Sequence, residues 1–471
     1  MTTFYIEQFG CRATQADGAA LAQQLLERGC VSARNAADAD VVVVNTCTVT
    51  ASADAQARDA IRKLHAANAN VRVIVTGCYA QRAPEELSRL PGVTWVVGNS
   101  HKPQIPELIE TVSPRSEASR SNLFFPLSSL TAANASRPEP QAEILVGDVF
   151  EQQRLLTTPV FGGGGNHTRA TLKIQDGCNS RCSFCVIPFV RGKSRSLPPE
   201  SVTRELQKLA DAGYREIVLS GINLGTYGRD LSPGVEFEDL LRRILDETTV
   251  ERLRVSSIEP MDVTRDLIEL FASTERLAKH FHMPLQSGSD RILAGMHRWY
   301  RAEHYARRVE LIRERLPHAA IGTDVIAGFP GETEEDHAAT LAFIGALSFT
   351  YLHVFSYSKR PATKAAALPN HVAGAVIKHR ARELRTLGER KSFAFRQSQV
   401  GRELRVLTLQ PSGDASNHRT PALSSNFLRL FVDGVFPANQ WLDIKLTGCE
   451  GAFLTARVLE FGSEPSSRRL A

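Results

Sequence analysis

Gln175-Asp-Gly-Cys178-Asn-Ser-Arg-Cys182-Ser-Phe-Cys185-Val-Ile-Pro-Phe-Val-Arg191-Gly-Lys193-Ser-Arg195-Ser196 continues from Ala170–Gln175, which reads as a strand. Thiolates are soft ligands suited to zinc or iron–sulfur centres. A structural zinc site takes four ligands, usually as two pairs. Here three cysteines lie within eight residues, with no fourth nearby. A four-iron cluster on three thiolates keeps one iron open for a substrate or cofactor.

Outward from this stretch, strand signals at Ala170–Gln175, Glu216–Ser220, Leu253–Ser257, His280–Leu285, Ile321–Ala327 and Tyr351–Phe355 alternate with helical patterns such as Pro199–Ala212 and Glu332–Leu347. Six βα units predict a partial TIM-like barrel, placed at residues 169–398 together with a long basic helix at its end. From Val372 to Arg402 that stretch carries eight Lys/Arg against two Asp/Glu, which reads as a solvated face. Residues 399–461 switch to short strands with turn clusters at Pro411-Ser-Gly-Asp and Asp433-Gly434, predicting a small β-barrel. The tail, 463–471, is polar.

Residues 1–110 also alternate: strands at Phe4–Gln8, Val41–Asn45, Val71–Thr76 and Val93–Val97, helices at Ala16–Arg28 and Ser52–Ala69. This pattern predicts βαβ units on a parallel sheet. Residues 111–168, rich in Ser, Pro and Ala and ending in Gly162–Gly165, read as a linker, ordered in part around Ile144–Phe150. The fold class is therefore α/β, in line with about three domains for 471 residues.

The formal net charge of +5, from 56 Lys+Arg and 51 Asp+Glu, identifies no partner by itself. MTTFYIEQFGC has neither a basic n-region nor a long apolar run, and Val41–Val44 is far short of a membrane span. A cytoplasmic protein with no membrane partner is expected. Eight cysteines in a reducing compartment favour metal binding or catalysis over disulfides.

Cys11, Cys47 and Cys78 each fall just after a predicted strand of the first domain. Ligands of an open parallel sheet bind beyond the strands' carboxyl ends. The three remote thiols can thus converge on one crevice, although buried free cysteines are also common small hydrophobes. Cys30 and Cys449 read as structural.

The Gln175–Ser196 stretch resembles the radical S-adenosylmethionine signature of the tRNA methylthiotransferases. Further segments match in order: Leu219-Ser-Gly-Ile-Asn-Leu-Gly-Thr-Tyr-Gly-Arg-Asp230, Arg254-Val-Ser-Ser-Ile-Glu-Pro260, His282-Met-Pro-Leu-Gln-Ser-Gly-Ser-Asp290 and Gly322-Thr-Asp-Val-Ile-Ala-Gly-Phe-Pro-Gly-Glu332. The resemblance implies a [4Fe-4S] cluster on Cys178, Cys182 and Cys185, binding S-adenosylmethionine at its open iron. It implies a second [4Fe-4S] cluster on Cys11, Cys47 and Cys78 for sulfur insertion. Ser220, Gly221, Ser257, Glu259, Gln286 and Asp324 are candidate S-adenosylmethionine contacts at strand ends. Arg191, Lys193 and Arg195 are candidate RNA contacts, which would supply affinity and position rather than sequence reading. Gly401–Leu407 and Ser425–Val432 resemble a TRAM domain, a small tRNA-binding β-barrel.

The wording around Cys178 and Tyr227-Gly-Arg-Asp230 is nearest the branch that acts on N6-threonylcarbamoyladenosine beside the anticodon. Arg360-Pro-Ala-Thr363 departs from relatives, which have Gly at the position of Ala362. The implied reaction abstracts hydrogen from adenine C2 by a 5′-deoxyadenosyl radical, inserts sulfur and methylates it. The expected partners are tRNA and an electron donor such as flavodoxin or ferredoxin, and a monomer is expected. Three alternatives stand: the isopentenyladenosine branch, the branch that thiomethylates a ribosomal-protein aspartate, and a non-catalytic iron–sulfur RNA-binding or scaffold protein.

Overall fold

Val41-Val-Val-Val-Asn-Thr46 is the strand that decides the first sheet. In the computed structural model, which describes residues 1–111, 142–151, 168–411 and 418–459, all six of its residues are buried. A strand covered on both faces reads as a continuous apolar run. Val41 and Val43 face one core with Phe4, Leu21, Leu25 and Ile105. Val42 and Val44 face another with Ala57, Ile61, Val73 and Val75. Each buried valine contributes roughly 1.5–3 kcal/mol by leaving water.

Around it the strands run β1 (Thr3–Gln8), β2 (Val31–Ser32), β3 (Val41–Thr46), β4 (Arg72–Gly77), β5 (Val93–Val97) and β6 (Glu143–Leu145). They form one parallel sheet in the order β2-β1-β3-β4-β5-β6. Helices α1 (Arg12–Glu27), α2 (Ala51–Ala67), α3 (Cys78–Arg82), α4 (Pro84–Ser88) and α5 (Ile105–Thr111) connect or flank the strands. β6 comes from the stretch read as a linker and closes the sheet's edge against β5. Gly162–Gly165 and most of the rest of that linker lie outside the described residues, as do Ser412–Asp414 and the tail.

The chain divides into two compact units. The first comprises residues 1–160, 176–195 and 358–366, and the second comprises the rest. The cysteine loop and a segment after the last barrel strand both belong to the first unit. Two-residue strands β8 (Gln175–Asp176) and β9 (Arg195–Ser196) bracket that loop, and α6 (Ile187–Arg191) lies within it.

The second unit holds six parallel strands: β7 (Ala170–Lys173), β10 (Glu216–Ser220), β11 (Arg252–Val255), β12 (His280–His282), β13 (Ala320–Ala327) and β14 (Tyr351–Ser356). They pair as β11-β10-β7 and β12-β13-β14, and a parallel bridge from Ser257 to His282 joins the two ladders. α7 (Pro199–Asp211), α8 (Phe237–Glu247), α9 (Arg265–Ser273), α10 (Asp290–Gly295), α11 (Ala302–Arg315) and α12 (Glu334–Ala346) lie between strands, giving the partial barrel. β12 ends at His282 instead of reaching Leu285. Pro284 lacks a ladder donor, and Gln286 adopts φ 68°.

The basic helix α13 (Gly374–Gln397) follows. It is not a purely solvated face: Ala381 and Leu384 join the barrel core, and buried Arg380 donates to Glu332 Oε1 at 2.8 Å. Beyond it β15 (Glu403–Thr408), β16 (Arg419–Ser424), β17 (Arg429–Asp433), β18 (Trp441–Glu450) and β19 (Phe453–Val458) close a barrel in the order β15-β16-β17-β19-β18. Closure pairs every edge that an open sheet would expose. Buried Arg254 donates to the Ser424 and Ser425 carbonyls and pairs with buried Glu216, whose carboxyl burial pushes up but Arg254, Arg169 and Arg252 hold at about 2. Among the described residues, no helix is long and apolar enough to cross a membrane.

Candidate metal centres

The Cys178–Cys185 loop has little regular structure, so tight turns shape it. Gly177 sits at φ 70°, and a Cβ there would lie 2.0 Å from the Lys193 carbonyl oxygen. The chain thus doubles back on itself, with Cys178 N donating to Gly192 O at 3.1 Å. Cys185 N donates to Cys182 O, and Ser180 N points at Cys178 Sγ at 3.4 Å. All three thiols are half-buried. Ala365 N donates to Ser183 O at 2.8 Å, so the 358–366 segment braces the loop between two of its cysteines.

Cys11, Cys47 and Cys78 follow β1, β3 and β4, which are neighbours in the sheet. Two glycines permit the convergence. At Gly10, φ 102°, a Cβ would lie 2.4 Å from Cys47 Cβ and 3.0 Å from its Sγ. At Gly77, φ 98°, it would lie 2.3 Å from Thr46 O. Cys11 stands at the N-cap of α1 without capping it through its side chain, a position that normally favours Ser, Thr, Asp or Asn. Burial pushes the Cys47 thiol up to about 12, and nearby Cys78 and Cys11 add like-charge repulsion. Coordination to a cationic centre would instead deprotonate such a thiol outright.

Among the described residues, the one group of three or more ligand atoms all within 4.8 Å of one another is His282, Asp324 and His353. Neither cysteine trio is gathered that closely. A four-iron cluster takes its thiolates on separate irons, so three cysteines that hold one need not converge on a single ion.

The two trios belong to the same unit. Cys78 packs against Val186 and Val190, just beyond Cys185. Asn99 Nδ2 donates to Val190 O at 2.8 Å and lies 3.6 Å from Cys78 Sγ. Arg360 pairs with Asp54 and donates toward Thr48 O, beside Cys47, while Arg82 reaches the same Asp54 at 3.0 Å. Ala362, in this segment, adopts φ 66°. That is the left-handed region where glycine costs least, in line with the Gly that the family resemblance implies there.

Arg191 requires a correction. Expected to meet RNA phosphate, it is 2% exposed, bonded to Asp176 and Asp17. Its charge is spent inside the protein. Arg195 is half-buried and donates to Arg191 O at 3.0 Å, and Lys193 is exposed.

In the second unit, Ser220 lies at the end of β10, with its Oγ buried and unpartnered among the described residues. Asn223 Oδ1 and Ser256 Oγ share that condition. Unpartnered buried polar atoms are rare and call for a ligand or water. Asn223 and Ser256 escaped the sequence reading, which chose the adjacent, half-buried Ser257. The Gly221 turn is held by Gln175 Oε1, which accepts from Ile222 N and Asn223 N at 2.8 and 2.9 Å.

Glu259 pairs with Arg298, and burial nevertheless keeps its carboxyl above the usual range. Gln286 is half-buried, its backbone tied to Asp324 O at 2.8 Å. Burial pushes Asp324 up, but His282 and His353 prevail and hold its carboxyl well below the usual range. His282 uses both ring nitrogens, Nε2 on Asp324 at 2.9 Å and Nδ1 on Tyr351 Oη at 3.0 Å. Both ring nitrogens of His282 are thus satisfied by side chains. The His–Asp–His group spans three strands, so no local motif announced it.

Residues 3–98 match the model of "Uncharacterized protein family UPF0004", and residues 172–344 match that of the radical SAM superfamily. The chain is 37% identical over 406 residues to the threonylcarbamoyladenosine tRNA methylthiotransferase MtaB of Aquifex aeolicus, covering 86% of this chain and 92% of that protein. It is 36% identical to the Bacillus subtilis protein of the same name, over 86% of this chain and 85% of that one. It is 35% identical to the tRNA-2-methylthio-N(6)-dimethylallyladenosine synthase of Syntrophobacter fumaroxidans, over 90% and 88%. Among solved structures, the radical S-adenosylmethionine methyltransferase TsrM of Kitasatospora setae shares the fold, with TM-score 0.55 and 17% identity over 77% of this chain and 74% of that one.

Proposed function

The chain belongs to the radical S-adenosylmethionine tRNA methylthiotransferase family, and from that premise we propose that it adds a methylthio group to C2 of N6-threonylcarbamoyladenosine beside the tRNA anticodon. As a family member it is a radical enzyme that transfers a methylthio group, using a [4Fe-4S] cluster and S-adenosylmethionine. Bound, these supply one-electron chemistry able to remove hydrogen from an unactivated C–H bond.

One observation carries the reading: Cys11, Cys47 and Cys78 fall in the same compact unit as the Cys178–Cys185 loop. Cys178, Cys182 and Cys185 would hold the cluster that engages S-adenosylmethionine. Cys11, Cys47 and Cys78 would hold a second [4Fe-4S] cluster on the sulfur-insertion side. Ser220, Asn223 and Ser256 offer buried polar atoms for the cofactor, with Gly221, Ser257, Gln286, Glu259 and Asp324 on the same strand ends and loops. Lys193 is the exposed cation available to RNA phosphate in the cysteine loop's basic stretch.

We read residues 1–110, 169–398 and 399–461 as the sulfur-insertion, radical and RNA-binding modules. A low-potential donor such as flavodoxin or ferredoxin would feed electrons to a monomer. The nucleoside assignment is supported by the MtaB relatives at 37 and 36% identity. The dimethylallyladenosine relative at 35% supports a second reading.

Mass spectrometry of nucleosides from the tRNA of a deletion strain tests both. The expected result is loss of the methylthio-threonylcarbamoyl nucleoside and its restoration by the gene. Unchanged levels of that nucleoside overturn the proposal, and loss of the methylthio-dimethylallyl nucleoside instead establishes the second reading.

A further inference from the structure

We infer that Arg191, together with Lys102, is a positioning residue that sets the charge environment, and hence the reduction potential, of the Cys11–Cys47–Cys78 centre. The inference rests on the reading that a four-iron cluster occupies that trio.

The geometry is a buried hydrogen-bonded network that runs beside the three cysteines. Arg191 Nη1 donates to both Asp176 oxygens at 2.9 and 3.1 Å, and Nη2 to Asp17 Oδ2 at 3.0 Å. Nη2 also lies 3.4 Å from Thr14 Oγ1, which is 3.5 Å from Cys11 Sγ. Lys102 Nζ, 4% exposed, donates to the same Asp17 Oδ2 at 3.0 Å and to Asn45 Oδ1 at 3.4 Å. Asn45 stands two residues before Cys47, and its Nδ2 donates to Thr14 O at 2.7 Å. At the third cysteine, Asn99 links Cys78 to Val190, the residue before Arg191.

Burying two cations is expensive, and an apolar core would serve stability as well or better. Their placement suggests another use. Arg191 interacts electrostatically with Cys78, Cys11 and Cys47, and Lys102 with Cys78. In a buried, weakly screened site such charges act strongly. Iron–sulfur potentials respond to net charge, hydrogen bonds to sulfur and solvent exposure. A nearby cation favours the more negative, reduced state and raises the potential, and a carboxylate does the reverse.

The test is a redox titration, followed by electron paramagnetic resonance, of the anaerobically reconstituted full-length chain, with iron analysis alongside. The second centre is read separately in a Cys182→Ala chain. Lys102→Met and Arg191→Leu should make its reduction at least tenfold less favourable, a shift of about 59 mV to lower potential for a one-electron couple. Asp17→Asn should shift it the other way. Arg191→Lys, which keeps the charge, should restore most of the potential. Should Arg191→Leu fail to hold iron, the opposite signs of Lys102→Met and Asp17→Asn decide the matter. A full iron complement with unmoved potentials, or shifts of the same sign, overturns the inference alone. About four irons in the wild type, in place of about eight, overturns the two-cluster reading and this inference with it.

Discussion

One cysteine trio is written within eight consecutive residues, and the other is spread from Cys11 to Cys78. The first sits on a loop shaped by one reversal at Gly177 and keeps its thiols half-buried. The second is assembled by a sheet: its members follow three adjacent parallel strands, and Cys47 and Cys78 are buried. The contrast teaches that a local motif specifies its own geometry, whereas a dispersed site inherits geometry from strand order.

The sharpest way to break the comparison is to remove one thiol from each trio. Cys182→Ala is expected to abolish S-adenosylmethionine cleavage and lose about half of the roughly eight irons. Cys47→Ala is expected to lose the same fraction of iron yet keep cleavage to 5′-deoxyadenosine. Chromatography of the nucleoside products and iron analysis read both. A Cys47→Ala chain with full iron would mean the second trio holds no cluster.

A milder pair probes how each trio is shaped. Gly177→Ala and Gly10→Ala both force a side chain into left-handed backbone, against the Lys193 carbonyl in one case and Cys47 in the other. Each should cost about 1–3 kcal/mol of stability in denaturant titrations. Iron loss should divide cleanly, from the first centre for Gly177 and the second for Gly10. Iron lost equally from both centres in both variants would show that the two sites are not shaped independently.

The smallest effect concerns the segment that touches both sites. Arg360 is bonded beside Cys47 and Ala365 beside Ser183, with Ala362 between them at φ 66°. Ala362→Gly should raise stability by about 1 kcal/mol, seen as a higher denaturation midpoint. A lower midpoint would contradict the backbone reading.

Much of this architecture is legible from residues alone. The valine run of β3, the six barrel strands and the first trio announce themselves through local pattern. The second trio follows from topology, because the carboxyl ends of neighbouring parallel strands must lie together. What escaped is long-range. Nothing local says that residues 358–366 return to the first unit, or that Glu143–Leu145 joins its sheet edge. Arg191 sits in a basic stretch that looks solvated, and its partner Asp17 lies 174 positions away. Ser256 and Asn223 are ordinary polar residues whose Oγ and Oδ1, unpartnered among the described residues, only packing reveals.

That discontinuous first unit has a consequence for biosynthesis. Cys11, Cys47 and Cys78 leave the ribosome early, together with strands β1, β3 and β4 that order them. The loop bearing Cys178 and the bracing segment ending at residue 366 belong to the same unit but emerge later. At a translation rate of about 5–20 residues per second, the delay from Cys78 to residue 366 is roughly 15–60 s. During that interval the older strands and cysteines stand without the later-made parts of their unit, which is complete only when residue 366 has emerged.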